Sequence, residues 1–163
     1  MKTPSRSGGD LGYRFEVDGA IVEVLGPDGV KTDPKTIGKH TTIEVPGGTQ
    51  ALKRSEIVMV SVEGGPAVAM RRPSLLGAIL IKARVVARAR KDKFESDRQD
   101  LILLLGLVED PRMLATEGGL KRSERQWLRA IEAKIDFRDP ALSDLFSPET
   151  LTRAEQAYRL LVV

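Results

Sequence analysis

Apolar and polar positions alternate along the chain up to residue 71 and recur with a helical period from residue 73 onward. Tyr13 to Val17 and Ala20 to Leu25 are β-prone runs flanking Asp18-Gly19, a strong hairpin signal. A two-residue turn sets Val17 opposite Ala20, Phe15 opposite Val22 and Tyr13 opposite Val24. That face is wholly apolar and is expected in the core. The other face pairs Glu16 with Ile21 and Arg14 with Glu23. Residues 26–40 hold Gly, Pro, Asp and Lys and read as a loop. Thr41 to Val45 reads as a short strand closed by Pro46-Gly47-Gly48. Glu56 to Glu63 alternates, with Val58, Val60 and Val62 on one face. Gly64-Gly65 turns the chain and Pro66 to Arg71 returns, with Pro66 at the strand start, where a missing N–H is tolerated.

Pro73-Ser74 opens a helix that the period carries through Arg90. A second helix spans Ser96 to Val108. Asp110-Pro111 starts a short third, stopped by Gly118-Gly119. Ser123 with Gln126 forms a capping box for a fourth, which carries Trp127, Ile131 and Ile135. Asp139-Pro140 and Ser147-Pro148 open the last two. Strands followed by helices predict an α+β fold. An N-terminal mixed or antiparallel sheet, residues 13–71, is followed by a helical half, residues 73–163, packed on one side of it. Residues 1–12 read as a flexible start, and residues 13–163 as a single domain.

A chain of 163 residues suits one domain, and such a domain buries roughly 70% of its unfolded surface without needing covalent staples. There is no cysteine, which excludes disulfides, a thiol nucleophile and a cysteine zinc site and fits a reducing, cytoplasmic setting. The polar Met1 to Asp10 segment lacks the apolar stretch of a signal peptide. The longest apolar run, Leu75 to Ile81, meets Lys82 and is too short to span a bilayer. No membrane association is expected. The net charge of +3 permits a polyanionic partner without requiring one.

Against this background a few polar residues stand out. Leu75, Ile79, Lys82 and Val86 share one helical stripe, so Lys82 is a lysine on an otherwise apolar face. Either its stem packs and its amine reaches water, or the amine is aimed at a phosphate or carboxylate, since burying it unpaired is costly. Asp97 and Asp100 share a face near the start of the second helix. Asp97 also reads as simple helix-dipole chemistry, whereas Asp100 enters the run Leu101 to Leu105 and calls for a cation, with Lys82 the nearest candidate. Glu23 reads either as an ion-pair partner of Arg14 across the hairpin or, flanked by Ile21 and Leu25, as a metal-binding carboxylate on a half-covered face. Arg71, Arg72, Arg84, Arg88, Arg90, Lys91 and Lys93 bracket the same region. They read as a solvated face or as contacts to phosphate or RNA; the scarcity of aromatics speaks against base stacking. His40 stands alone in a loop. No phosphate-binding glycine loop, dinucleotide fingerprint or Ser-His-Asp pattern is present.

Arg72-Pro73-Ser74-Leu75-Leu76, then Lys82, the basic run, and Asp97-Arg98-Gln99-Asp100-Leu101 resemble the later part of abortive-infection nucleotidyltransferase toxins of the AbiEii type. There a lysine on one helix precedes a KDxxDL-like motif on the next. Ser96 stands here in place of that motif's lysine. Tyr13-Arg14-Phe15 and Ile21 to Leu25 resemble the family strand ending in a third metal-binding carboxylate, with Glu23 where the family has aspartate. The resemblance spans residues 13–108. It implies a nucleotidyltransferase-like fold and transfer of a nucleotide from a nucleoside triphosphate to an RNA end or a protein hydroxyl. It further implies Glu23 on Mg²⁺, Lys82 on the triphosphate, and Asp97 or Asp100 orienting the lysine or activating the acceptor. Arg71, Arg72, Arg84 and Arg88 would contact substrate, and a cognate antitoxin protein would be a partner. The family's Asp-x-Asp metal pair, which precedes this strand, has no counterpart in the sequence. A non-catalytic protein that binds RNA or a partner chain through the basic cleft or an exposed sheet edge is the alternative.

Overall fold

The fold is a computed structural model that describes residues 14–17, 19–29, 42–88, 94–116 and 119–163. The expected flexible start, together with Tyr13, His40, Arg90, Lys91 and Lys93, lies outside the described residues.

Strand β1 (Arg14–Val17) pairs antiparallel with β2 (Ala20–Glu23) in the register the sequence predicts, with Phe15 opposite Val22 and Arg14 opposite Glu23. Gly19 turns the chain with a φ of 80°, a conformation that costs glycine little. The expected burial of this face holds for Phe15, whereas Val22 and Val24 stay exposed. Among the described residues the ribbon's contacts are chiefly its own.

Gly26–Pro27, read from sequence as loop, forms β3 and pairs in parallel with β4 (Glu44–Val45). Helix α1 (Gly48–Lys53) follows, a helix that the apolar pattern does not signal. Its N-cap is Gly47, at a φ of 87° and without a side-chain cap, so the usual Ser, Thr, Asp or Asn signal is missing.

Strands β5 (Ser55–Val60) and β6 (Val68–Pro73) make an antiparallel hairpin that sets Glu56 opposite Arg72, Val58 opposite Met70 and Val60 opposite Val68. The alternation read from the sequence is present, but both faces of this ribbon are largely exposed. The expected single sheet does not form: the described strands make three separate two-stranded pairs. Helix α1 lies between β4 and β5 in the chain, and the strand edges on either side of it never pair.

The core is instead built of helices. Helix α2 (Leu75–Arg88) contributes Leu76, Ile79, Leu80, Ala83 and Val86. It packs on α3 (Phe94–Gly106), which contributes Leu101, Ile102 and Leu105. Helices α4 (Pro111–Thr116), α5 (Arg122–Ala130) and α6 (Pro140–Ser143) close around them. The last helix, α7 (Pro148–Val162), lays Ala154, Ala157 and Leu161 against α3. The proline starts behave as the sequence predicts: Asp139 accepts the Ala141 N–H at 3.0 Å and Ser147 the Thr150 N–H at 3.3 Å. The cap of α5 does not. Ser123 lies inside the helix, and Glu124 reaches back to accept the Lys121 N–H at 2.8 Å, two positions before the expected Ser123–Gln126 pair.

Two glycines set helix positions. A Cβ on Gly77 would meet the Arg54 carbonyl oxygen at 2.6 Å, and one on Gly106 would meet Thr150 Cγ2 at 2.6 Å. Both distances are shorter than any side chain tolerates, so α2 and α7 sit where they do because these positions lack a Cβ.

Candidate active site

Lys82 lies on α2 between the buried residues Ile79 and Val86, on the stripe the sequence predicts. Its Nζ sits 2.9 Å from Asp97 Oδ1 and 2.7 Å from Asp100 Oδ2. Asp97 and Asp100, one helical turn apart on α3, thus reach the same amine. The side chains of Lys82 and Asp97 are 30% and 16% exposed, whereas that of Asp100 is 52% exposed. Asp100 is therefore more open than its neighbourhood in the sequence suggests, because Leu101 and Leu105 turn inward while Asp100 faces out. Burial alone would lower the Lys82 pKa. The hydrogen bonds to Asp100 and Asp97 and the charges of both carboxylates outweigh burial and raise it, so the amine is firmly protonated. The cluster carries one cation and two anions. A lysine has three N–H donors, and two of Lys82's are committed here. The chemical capacity of the cluster is one cationic donor for an anionic oxygen beside one half-exposed carboxylate able to accept a proton.

Arg84, two residues on, points elsewhere, because two helical steps rotate a side chain by roughly 200°. Its Nη1 lies 2.6 Å from Asp28 Oδ2, and its guanidinium carbon lies 4.7 Å from the centroid of the Trp127 ring. Its Nε is buried and has no hydrogen-bond partner among the described residues. Asp28 also accepts the Thr49 N–H at 3.2 Å, and Thr49 Oγ1 donates to the Asp28 carbonyl. Burial would raise the Asp28 pKa, but the N–H groups of Gly47 and Thr49 and the charge of Arg84 together bring it below the usual carboxylate range. Arg84 thus ties the β3–α1 segment and α5 to α2.

A second buried tie joins α1 to α5. Glu124 is fully buried and meets Arg54 twice, Nη2 to Oε2 at 2.8 Å and Nε to Oε1 at 3.1 Å. Gln50 Nε2 donates to the same carboxylate, and Arg54 Nη2 also reaches the Gly119 carbonyl at 2.5 Å. Asp28, Gln50, Arg54 and Glu124 are not among the residues that the sequence singles out; their partners lie far along the chain, so spacing carries no signal for them.

Among the expected site residues the structure brings together Lys82, Asp97 and Asp100. Arg71 donates to Ser55 Oγ at 2.7 Å and Arg72 to Glu56 at 2.8 Å, both on the β5–β6 hairpin. Arg88 is exposed at the end of α2. Glu23 faces Arg14 at 3.5 Å with nearly half its side chain exposed. Its flanking residues Ile21 and Leu25 are exposed as well, so the half-covered face expected there is open. Mg²⁺ takes a near-octahedral set of oxygens, usually including one or two carboxylates. Glu23 offers one, already opposite an arginine, and among the described residues no three acidic, histidine or cysteine side chains gather. These residues do not fit a magnesium site by themselves. Among the described residues no helix is long and apolar enough to cross a membrane.

No known protein family, curated protein or solved structure matches this chain.

Proposed function

We propose that the chain is a nucleotidyltransferase-like protein in which Lys82, Asp97 and Asp100 handle the phosphate and acceptor ends of the reaction. The observation that carries this reading is the Lys82 amine, held at 2.9 and 2.7 Å between Asp97 and Asp100 with a side chain still 30% exposed. The amine is fixed by two carboxylates and charged, and those two contacts leave over one of its three N–H donors. The remaining donor suits a triphosphate oxygen, as a compact point charge does. Asp97, the less exposed carboxylate, orients the amine. Asp100, the more exposed one, accepts the proton of an acceptor hydroxyl at an RNA end or on a protein. The metal chemistry of such a transfer requires carboxylates supplied from outside this constellation.

The test is calorimetric titration of each nucleoside triphosphate into the chain with Mg²⁺ present, for the native sequence and for Lys82→Ala. Saturable binding that Lys82→Ala weakens at least tenfold, with unchanged circular dichroism, is the expected result. Equal binding by both chains removes Lys82 from the site. Absence of heat with every triphosphate sinks the transferase reading for this chain and leaves the non-catalytic binder.

A further inference from the structure

We infer that β5 pairs with β5 of a second copy of this chain, joining two hairpins into one four-stranded antiparallel sheet about a two-fold axis. This inference is independent of the nucleotide reading. A two-stranded ribbon is marginal in water by itself, and β5–β6 is such a ribbon. Among the described residues no strand pairs with the far edge of β5. Ile57, Met59, Val62, Val68 and Met70 are each more than half exposed, a density of apolar groups that isolated surface residues do not show.

The two edges of the ribbon differ. Monomeric proteins blunt an open edge with charge, proline or a bulge. Strand β6 has Arg71, Arg72 and Pro73. Strand β5, Ser-Glu-Ile-Val-Met-Val, has Glu56 as its sole charge and no proline, and that charge already faces Arg72 at 2.8 Å. The open edge is therefore electrically neutral and apolar, which suits another neutral apolar strand better than a charged partner.

The sequence of β5 is also compatible with itself. A two-fold axis through Val58 sets Val58 against Val58 of the partner subunit, Ile57 against the partner's Met59, and Glu56 against the partner's Val60. Residues on the same face meet, and no like charges stand opposite. Pairing of this kind is isologous and uses the β5 edge on both copies, so assembly stops at the dimer.

The test is light scattering coupled to size exclusion over a concentration series, with amide hydrogen exchange of β5 followed on the same samples. The native chain is expected to approach twice its 17.9 kDa mass as concentration rises, with slowed exchange at Ile57 to Val60. The double variant Ile57→Lys, Met59→Lys opposes lysines across the axis while altering only exposed side chains, so it is expected to stay at 17.9 kDa with native circular dichroism. A native chain that remains monomeric at its highest soluble concentration overturns the inference, and so does a folded double variant that still dimerises. Should the double variant fail to fold, β5 exchange in the native chain that is independent of concentration overturns it equally.

Discussion

At the scale of single side chains, two ion clusters differ in burial: Arg54 and Glu124 are enclosed, whereas Lys82, Asp97 and Asp100 are partly open. Glu124 has no exposure to water, and Arg54, Gln50 and the Lys121 N–H surround its carboxylate. Arg54→Met leaves that carboxylate buried without its cation, and removing one partner of a buried pair typically costs about 3–5 kcal/mol. A fall of that size in unfolding free energy, read from urea titration, is expected, together with a smaller loss for the double variant Arg54→Met, Glu124→Leu. A single variant within about 0.5 kcal/mol of the native chain would place it among ordinary surface substitutions and show that Glu124 is wetter than its packing indicates. The Lys82 cluster should behave in the opposite way. Its members are partly open, and exposed pairs contribute about 0–1 kcal/mol. Lys82→Met with Asp97→Leu is therefore expected to unfold at nearly the native urea midpoint while losing triphosphate binding. A large drop in midpoint would make the cluster a structural device and take away the reason for assigning it chemistry.

At the scale of elements, the helices from α2 onward and the two hairpins were legible in the sequence, whereas α1 and the way the strands assemble were not. Pro73-Ser74, Asp139-Pro140 and Ser147-Pro148 mark helix starts through local chemistry, and the α2 stripe places Lys82 correctly, because a 3.6-residue period is a property of neighbouring residues. Whether β1–β2 and β5–β6 share a sheet depends on contacts between distant edges, and alternation is silent about those. Alternation at Val58 and Val60 equally fails to say that this face stays uncovered. The same limit hides the Asp28–Arg84 and Arg54–Glu124 ties, which depend on α1, a helix with no apolar period and a glycine cap. The α1–β5 turn does have one testable consequence. In an exposed helix Gly→Ala stabilises by about 0.8–1 kcal/mol. At Gly77 the new Cβ would lie 2.6 Å from the Arg54 carbonyl oxygen, and overpacking of this kind costs about 1–3 kcal/mol. The clash sets a Cβ, which has no rotamer freedom, against a backbone carbonyl, so no rotamer change relieves it. Gly77→Ala is therefore expected to lower the urea midpoint, and a raised midpoint would mean that α2 and the turn separate easily.

At the scale of the whole molecule, the shifted groups define a pH window of stability. Asp28 is held below the usual carboxylate range by the N–H groups of Gly47 and Thr49 and by Arg84, against the pull of burial. Asp139 is held there by Arg98 and the Ala141 N–H. Their contribution is fully present above the unfolded carboxyl pKa of about 3.9 and is lost as pH falls through their lower folded values. Lys82 lies on the other side. Its raised pKa contributes stability below the unfolded lysine value of about 10.4, and that stability disappears as pH rises through the folded value. Tyr158 adds to the same alkaline limb: burial first, then the charge of Glu132, pushes its phenol up to about 12, and its OH donates to the Leu128 carbonyl at 2.8 Å. Between the unfolded value of about 10 and 12 the folded chain retains a proton that the unfolded chain releases, so stability declines there. Urea titrations across pH should show a plateau at neutral pH with an acid limb and an alkaline limb. Tyr158→Phe removes one hydrogen bond, at a cost of about 1 kcal/mol near neutrality, but also removes the proton whose release on unfolding favours the unfolded chain at high pH. Its stability curve should consequently fall less steeply than the native one above pH 10. A parallel fall would show that the phenol ionises in the folded chain as readily as in water, and that the contact between α7 and α5 opens before the core does.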